Sequence, residues 1–145
     1  MTIREIRESI SPEDAHILTP IFTEAFGQPP TDSFLERLNE KRDLSVLIAE
    51  EEERIIGFKI GYTRYRGIFF SWLGGVDKSY LRQGVARDLL KEQHQLCLER
   101  GYEEIQTETS GTNRSMLILN LQEGFEVYGV HMGQDEVKVE LRKFL

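Results

Sequence analysis

Residues 75–101 read GVDKSYLRQGVARDLLKEQHQLCLERG, and this stretch decides the fold. An apolar run, Ile68 to Val76, leads into it as a buried strand would, and apolar residues between Val85 and Cys97 recur at helical spacing. Gly101 follows as the expected helix stop. The pattern predicts a strand that leads directly into an amphipathic helix.

The turn before this helix ends in Arg82-Gln83-Gly84-Val85-Ala86. A glycine and a small alanine leave the N–H groups of the first helical turn uncovered, and the helix dipole favours a phosphate or pyrophosphate there. Arg82 and Arg87 add positive charge at its edge. Gly74-Gly75, at the end of the strand, indicates a bulge or a close approach of backbone to a ligand. These features bracket one predicted anion site; the alternative is a packed strand, loop and helix with nothing bound.

Composition limits the class of protein. The chain has 145 residues, 39% of them hydrophobic and 30% charged, so we expect one globular domain over residues 1–145. No apolar run approaches the roughly 20 residues that cross a bilayer, and residues 1–8 lack a signal sequence. Cys97, the single cysteine, falls on an apolar helix face and reads as an inert thiol, which favours a cytoplasmic location. The net charge of −7 argues against nucleic-acid binding and mildly favours a cationic substrate.

Helix-capping residues, chain-breaking glycines and prolines, and alternating apolar residues predict where the remaining helices and strands lie. The strand at 104–109 follows the central helix at once, so we expect it to lie parallel to the strand at 68–76. The acidic link 51–53 indicates a hairpin turn rather than a metal site. We predict further strands at 2–9, 45–50, 54–62, 125–130 and 136–141, and further helices at 12–26, 31–43 and 115–122.

This order of elements, together with residues 76–86 and 113–125, resembles the GNAT superfamily of N-acetyltransferases. Gly84 and Ala86 match the phosphate-loop motif of that family, whereas Leu81 stands where Arg or Gln is usual. The resemblance implies an α/β (α+β) fold with a mixed, mostly antiparallel sheet of about six to seven strands flanked by about four helices. The second stretch matches at Asn113, Leu119, Gly124 and Phe125.

The resemblance also implies acetyl-CoA as acyl donor and no metal. Its pantetheine arm would pair with backbone near the strand end, and the N–H of Gly75 or a neighbour would polarise the thioester carbonyl. The implied cofactor-binding residues are Gly74, Val76, Arg82, Gln83, Gly84, Val85, Ala86, Arg87 and Asn113.

The implied reaction is direct attack by a primary amine, of a small molecule or a protein, on the thioester in a ternary complex. Many family members place a tyrosine as proton donor to the thiolate where this chain has Asn120. Asparagine is no acid at neutral pH, although its amide could hydrogen-bond the sulfur. Glu108 is the candidate general base, with a plain surface carboxylate as the alternative.

Two other functions stay open at this point. Leu81 and Asn120 also fit a CoA-binding regulatory module without catalysis. A nucleotide-phosphate domain is the third possibility, although neither of its glycine-rich motifs is present.

Other candidate groups carry less weight. His16, His94 and His131 show no zinc-ligand spacing. Tyr128 and His131 could reach the acceptor side, and the last strand, Val137 to Leu141, could pair with a partner's edge in a homodimer. Six aromatic residues either line an acceptor pocket or belong to the core: Phe22, Phe26, Phe34, Phe69, Phe70 and Trp72.

Overall fold

The computed structural model describes residues 1–145 as a seven-stranded sheet with helices on both faces. None of its helices is long and apolar enough to cross a membrane. The strands are β1 (Thr2–Arg7), β2 (Ser45–Glu51), β3 (Arg54–Tyr65), β4 (Ile68–Val76), β5 (Glu104–Ser110), β6 (Glu126–Met132) and β7 (Val137–Phe144). The helices are α1 (Pro12–Phe26), α2 (Asp32–Asn39), α3 (Val85–Glu99) and α4 (Arg114–Gln122), and a short 3-10 turn spans Lys78–Tyr80.

The strands lie in the order β1-β2-β3-β4-β5-β7-β6. All neighbours are antiparallel except β4 and β5, which are parallel, as the order strand, helix, strand predicted. The fold class expected from the sequence is therefore confirmed.

Local sequence explains where the helices begin and end. Ser11 caps α1 and forms a capping box with Asp14, Pro12 occupies its first turn, and Gly27 ends it at a φ of 77°. The central helix α3 starts after Gly84, at a φ of 85°. Glycine reaches these left-handed conformations without the steric cost that a side chain would add.

Several predicted boundaries differ from the observed ones. Strand β3 continues to Tyr65, beyond its predicted end at residue 62, because Tyr65 still pairs with Ile68 of β4. Helix α2 ends at Asn39 instead of near Asp43. The last strand runs on to Phe144, which pairs with Glu104.

The expectation for a dimer edge was also wrong in its detail. β7 lies between β5 and β6, where both of its backbone edges are already paired. The free edge on that side of the sheet belongs to β6.

The core lies on both faces of the sheet. Helices α1 and α2 cover the face of β2, β3 and β4, and no core residue of β5, β6 or β7 joins that cluster, so the second half of this face is open. Helices α3 and α4 cover the opposite face. The buried residues there are Leu47, Ala49, Ile56, Val85 and Leu89 in one cluster and Phe69, Leu90, Cys97, Ile105, Phe125 and Leu141 in the next.

The parallel pair separates halfway along. β4 pairs with β5 only from Ile68 to Ser71, and a shift in register opposite Ile60 and Gly61 bends β4 immediately after that. From Trp72 onward β4 has no partner on its β5 side. The resulting gap between β4 and β5 is the feature that positions the site.

Candidate active site

A cavity of about 530 Å³ occupies the gap between β4 and β5 and is bordered by residues of both sheet faces. On the face that α3 covers, its lining includes Lys59, Ser71, Ala86, Leu89, Thr107, Thr109, Asn113 and Met116. On the other face, it includes Phe26, Trp72, Leu73, Glu108, Ser110 and Lys138.

The first turn of α3 presents free amides beside this cavity. Gly84 is the N-cap and no side chain caps the helix. The first intrahelical bond runs from Asp88 N to Gly84 O at 2.9 Å, and the N–H groups of Val85, Ala86 and Arg87 have no partner in the chain. Ala86 lines the cavity. This geometry suits an anionic ligand.

The side chains around these amides behave differently from the sequence expectation. The Arg87 guanidinium contacts Gln122 Oε1 at 2.7 Å and Glu123 Oε1 at 3.0 Å, so it ties α3 to α4 rather than adding mobile charge. Gln83 donates to the carbonyl oxygen of Ser79. Arg82 is exposed, at a φ of 62°. Leu81 lines the cavity and is 55% exposed, so it adds an apolar wall at the entrance.

The direction of the backbone amides in β4 bears on the predicted oxyanion contact. Asp77 N donates to Ile56 O of β3, and amides along an antiparallel strand alternate in direction, so the N–H of Gly75 points the same way, toward β3. The N–H groups of Gly74 and Val76 point toward the gap. A neighbour of Gly75, rather than Gly75 itself, therefore has a free amide for a ligand in the cavity.

Glu108 lies at the start of the gap, one residue beyond the last β4–β5 pair. It alternates with Thr107 and Thr109, which are buried on the α3 face, so its side chain lies on the open face. Arg64 Nη2 is 4.0 Å from Glu108 Oε1. The structure thus places the predicted base in the cavity, beside a cation.

Two residues distant in sequence join Glu108. Glu140 is its partner across β5 and β7, His131 Nδ1 is 3.5 Å from Glu140 Oε1, and ligand atoms of all three lie within 4.8 Å of one another. By distance these groups could hold a metal, but Arg64 beside Glu108 opposes a further cation. We interpret them as a polar network that meets the cavity at Glu108; sequence spacing gave no sign of it.

The two asparagines of α4 differ in their surroundings. Asn113 lines the cavity and caps α4, because its Oδ1 accepts from Met116 N at 3.3 Å. Asn120 is 2% exposed and does not line the cavity, and its Nδ2 has no partner. The predicted contact of Asn120 with the sulfur therefore has no direct counterpart in the lining of the cavity.

Lys59 of β3 is the lining residue that sequence reasoning missed. It is 9% exposed and forms no ion pair or hydrogen bond, and burial lowers the pKa of its ammonium to about 8. The signal was available: Lys59 stands between Phe58 and Ile60 in a strand whose neighbours are all apolar or Gly.

The aromatic residues divide between core and surface. Phe22, Phe69 and Phe70 are core residues. Phe22 also borders, with Phe26, Phe34 and Trp72, a second cavity of about 260 Å³ under the link between α1 and α2. Phe26 and Trp72 border both cavities, which therefore adjoin. Tyr128 lies on β6 under the Arg142 guanidinium, 5.2 Å from ring centre to Cζ.

A cavity that crosses a splayed parallel pair, with free helix amides beside it, suits a ligand with an anionic part and an extended arm. Residues 15–119 match the sequence model of the Acetyltransferase (GNAT) family. The match covers most of the chain, so the protein belongs to this family of acetyltransferases. The resemblance noted at residues 76–86 and 113–125 is confirmed.

Solved structures share the fold. The ribosomal-protein-S18-alanine N-acetyltransferase of Escherichia coli superposes with a TM-score of 0.83 at 17% identity, over 97% of this chain and 94% of that one. An IAA acetyltransferase of Bacillus cereus gives 0.81 at 13%, over 99% of both. An aminoglycoside 6'-N-acetyltransferase in complex with coenzyme A gives 0.80 at 15%, over 99% and 97%. No curated protein sequence matches this chain.

Proposed function

We propose that residues 1–145 form one catalytic domain that moves an acetyl group from acetyl-CoA to a primary amine, by direct attack in a ternary complex. The observation that carries the proposal is the uncapped first turn of α3 beside a cavity that passes between β4 and β5. A diphosphate at the helix and an arm along β4 would bring a thioester to the point where the two sheet faces meet.

The residues proposed to hold the cofactor fit its parts. The amides of Val85, Ala86 and Arg87, after Gly84, would bind the diphosphate, with Arg82 and Gln83 as the exposed rim of that turn. The backbone of Gly74 and Val76 would pair with the arm, and one of these amides would hydrogen-bond the thioester oxygen. Asn113 borders the same cavity from α4.

Glu108 is the proposed base. Its carboxylate lies at the end of the gap on the open face, where an acceptor amine would meet the thioester, and it would accept the proton that the amine loses. Glu140 and His131 next to it give that proton a route toward solvent.

The acceptor proposed is a small molecule or a protein segment with a cationic primary amine. Two carboxylates border the open face, and aromatic rings border both cavities. The ammonium of Lys41 lies 4.6 Å from the ring centre of Tyr62 and 5.6 Å from that of Trp72. This part of the surface therefore already accommodates a primary ammonium against aromatic faces.

Location and assembly belong to the same proposal. Burial raises the pKa of the Cys97 thiol to about 12, which fits an unreactive thiol in a cytoplasmic protein. A possible homodimer formed by strand pairing would use β6, the free edge.

The test is release of CoA thiol from acetyl-CoA with a panel of diamines, amino-acid amides and peptide N-termini. We expect turnover with at least one cationic amine and a higher melting temperature with CoA. Stabilisation by CoA without thiol release across the panel would instead support the regulatory module. Absence of CoA binding would overturn both.

A further inference from the structure

Lys59 is a buried cation without a counter-ion. Its neighbours Phe58 and Ile60 belong to the core under α1 and α2, so its side chain lies on the face that α3 covers. There it pairs in register with Leu47 of β2 and Gly74 of β4, and it borders the cavity. A buried ammonium is costly unless something compensates it, and perturbed groups of this kind concentrate at functional sites.

Lys59 shares its side of the sheet with apolar residues, among them Leu47 and Leu89, and with several polar ones. The amide of Gln93 on α3 is buried with neither its nitrogen nor its oxygen hydrogen-bonded. Ser71 of β4 and Thr107 of β5 border the cavity. Titratable groups on this side include the Cys97 thiol of α3, whose pKa burial raises to about 12, and His94 of α3, which burial keeps neutral with its pKa lowered to about 3. Lys143 of β7 is 3.1 Å from the His94 ring. No carboxylate from any packed element pairs with the ammonium.

The position of Lys59 relative to the gap is the second part of the argument. The gap closes at the last parallel pair, where Thr107 Oγ1 donates to Ser71 O at 2.8 Å. Lys59 pairs with Gly74, three residues above this closed end on the same face. An arm that runs down β4 from the start of α3 would end with its reactive sulfur between Gly74 and Ser71, within the part of the cavity that Lys59 borders.

We propose that the Lys59 ammonium donates the proton that the CoA sulfur takes up as it leaves. The inference rests on the proposed function. The acceptor nitrogen forms a bond to the thioester carbon, the carbon–sulfur bond breaks with its electron pair on sulfur, and an N–H proton of Lys59 passes to that sulfur. The proton lost by the acceptor goes to Glu108, and water reprotonates Lys59 after CoA departs.

The chemistry of the neighbours favours this assignment. Asn120 cannot supply a proton at neutral pH. A pKa of about 8 leaves Lys59 mostly protonated at pH 7, yet close to the roughly 8.5 of an ordinary thiol, so the transfer is nearly balanced. A cation without a counter-ion would also favour the thiolate form of bound CoA.

Binding tests the contact without turnover. Affinities for CoA and for desulfo-CoA, which lacks the sulfur, are measured from pH 7 to pH 9 in the wild type, Lys59→Met and Lys91→Met, the last an exposed position on α3. We expect the wild type and Lys91→Met to prefer CoA by about tenfold near pH 8, between the pKa of the ammonium, about 8, and the roughly 8.5 of the thiol, where an ammonium and a thiolate can coexist. Lys59→Met should lose the preference but keep its affinity for desulfo-CoA. An unchanged preference would overturn the inference while leaving the proposed function intact.

Kinetics separate charge from proton donation. Lys59→Arg keeps a cation that cannot release its proton, so it should keep the preference for CoA yet lower kcat, as Lys59→Met does. Since a thiolate is a good leaving group, we expect about a tenfold to hundredfold loss, at or below the usual range for acid catalysis. The fall of kcat above pH 8 should vanish in both variants. If kcat still falls above pH 8 in both variants, the inference is refuted. If the wild type binds neither CoA nor desulfo-CoA, both the inference and the proposed function are refuted.

Discussion

Glu108 and Lys59 border one cavity from opposite faces of the sheet, in unlike surroundings. Glu108 lies beside Arg64 on a partly open surface, and its carboxylate is the proposed acceptor of the amine's proton. Lys59 is buried without an acidic partner, and burial lowers the pKa of its ammonium to about 8, so that it can release a proton near neutral pH. The sheet therefore keeps the proposed acceptor and donor of protons apart.

Replacing Glu108 tests the first of these roles. Glu108→Gln keeps the size of the side chain and removes its basicity, so we expect kcat to fall on the order of 10²-fold with little change in the KM for acetyl-CoA. Steady-state thiol release measures both. Glu104→Gln, on the same strand and outside the cavity, is the matched control. A kcat within threefold of the wild type would assign Glu108 to the surface only.

Some residues of this site could be identified from the sequence alone, and others could not. Glu108 could be identified from the sequence because it lies on the strand that directly follows the central helix. His131 was expected on the acceptor side, but Glu140 and the grouping of all three were not predicted, because only the register of β5, β6 and β7 brings them to within 4.8 Å of one another. Lys59 was missed, although the apolar residues on both sides of it in β3 already indicated a buried position.

At the scale of elements, the start of α3 is the segment proposed to bind the cofactor. Gly84 holds a φ of 85° with no atom near a potential side chain, so an alanine there is strained without any clash. Because that conformation aims the free amides, a change at Gly84 should act on ligand binding more than on packing.

Gly84→Ala should weaken CoA binding by about fivefold to tenfold, since a left-handed alanine costs about 1 kcal/mol and relaxes by turning the first amides. Calorimetric titration with CoA measures this. Gly101 matches it at the other end of α3, with a φ of 82° and equally open space. Gly101→Ala should therefore lower stability by a similar amount and leave CoA affinity unchanged. Equal losses of affinity in both variants would contradict the assignment.

The strand and helix at 68–99 were predictable because their signals are local: apolar alternation, helical spacing and glycine at the boundaries. The contacts of Arg87 were not predictable, because its partners Gln122 and Glu123 lie at the end of α4 and meet it only in the folded chain. The position of β6 at the edge of the sheet, outside β7, was not predictable for a related reason. Two consecutive strands with alternating apolar residues do not indicate which of them forms the edge.

At the scale of the whole molecule, His94 links stability to pH. Burial, with Lys143 beside the ring, lowers the pKa of His94 to about 3 from its usual 6.5. The unfolded chain therefore binds a proton that the folded chain does not, and stability is lost as pH falls from 6.5 toward 3.

His94→Leu should remove that part of the acid sensitivity, on the order of 2 kcal/mol at pH 4 after allowance for partial solvation of the ring. Urea unfolding at pH 7 and pH 4 measures the difference. The exposed His16→Leu is the control and should follow the wild type. If His94→Leu loses as much stability as the wild type between these pH values, the buried ring is not responsible.

Only four residue pairs between β4 and β5 join the two halves of the sheet, and α3 packs across both halves on one face. A ligand that fills the gap would contact β4 and β5 together and so hold the two halves of the sheet to each other. Amide hydrogens of β5 and β7 should then exchange more slowly when CoA is bound, while those of β1 and β2 stay as they were. On the proposed function, acetyl-CoA would complete the sheet as well as supply the acetyl group.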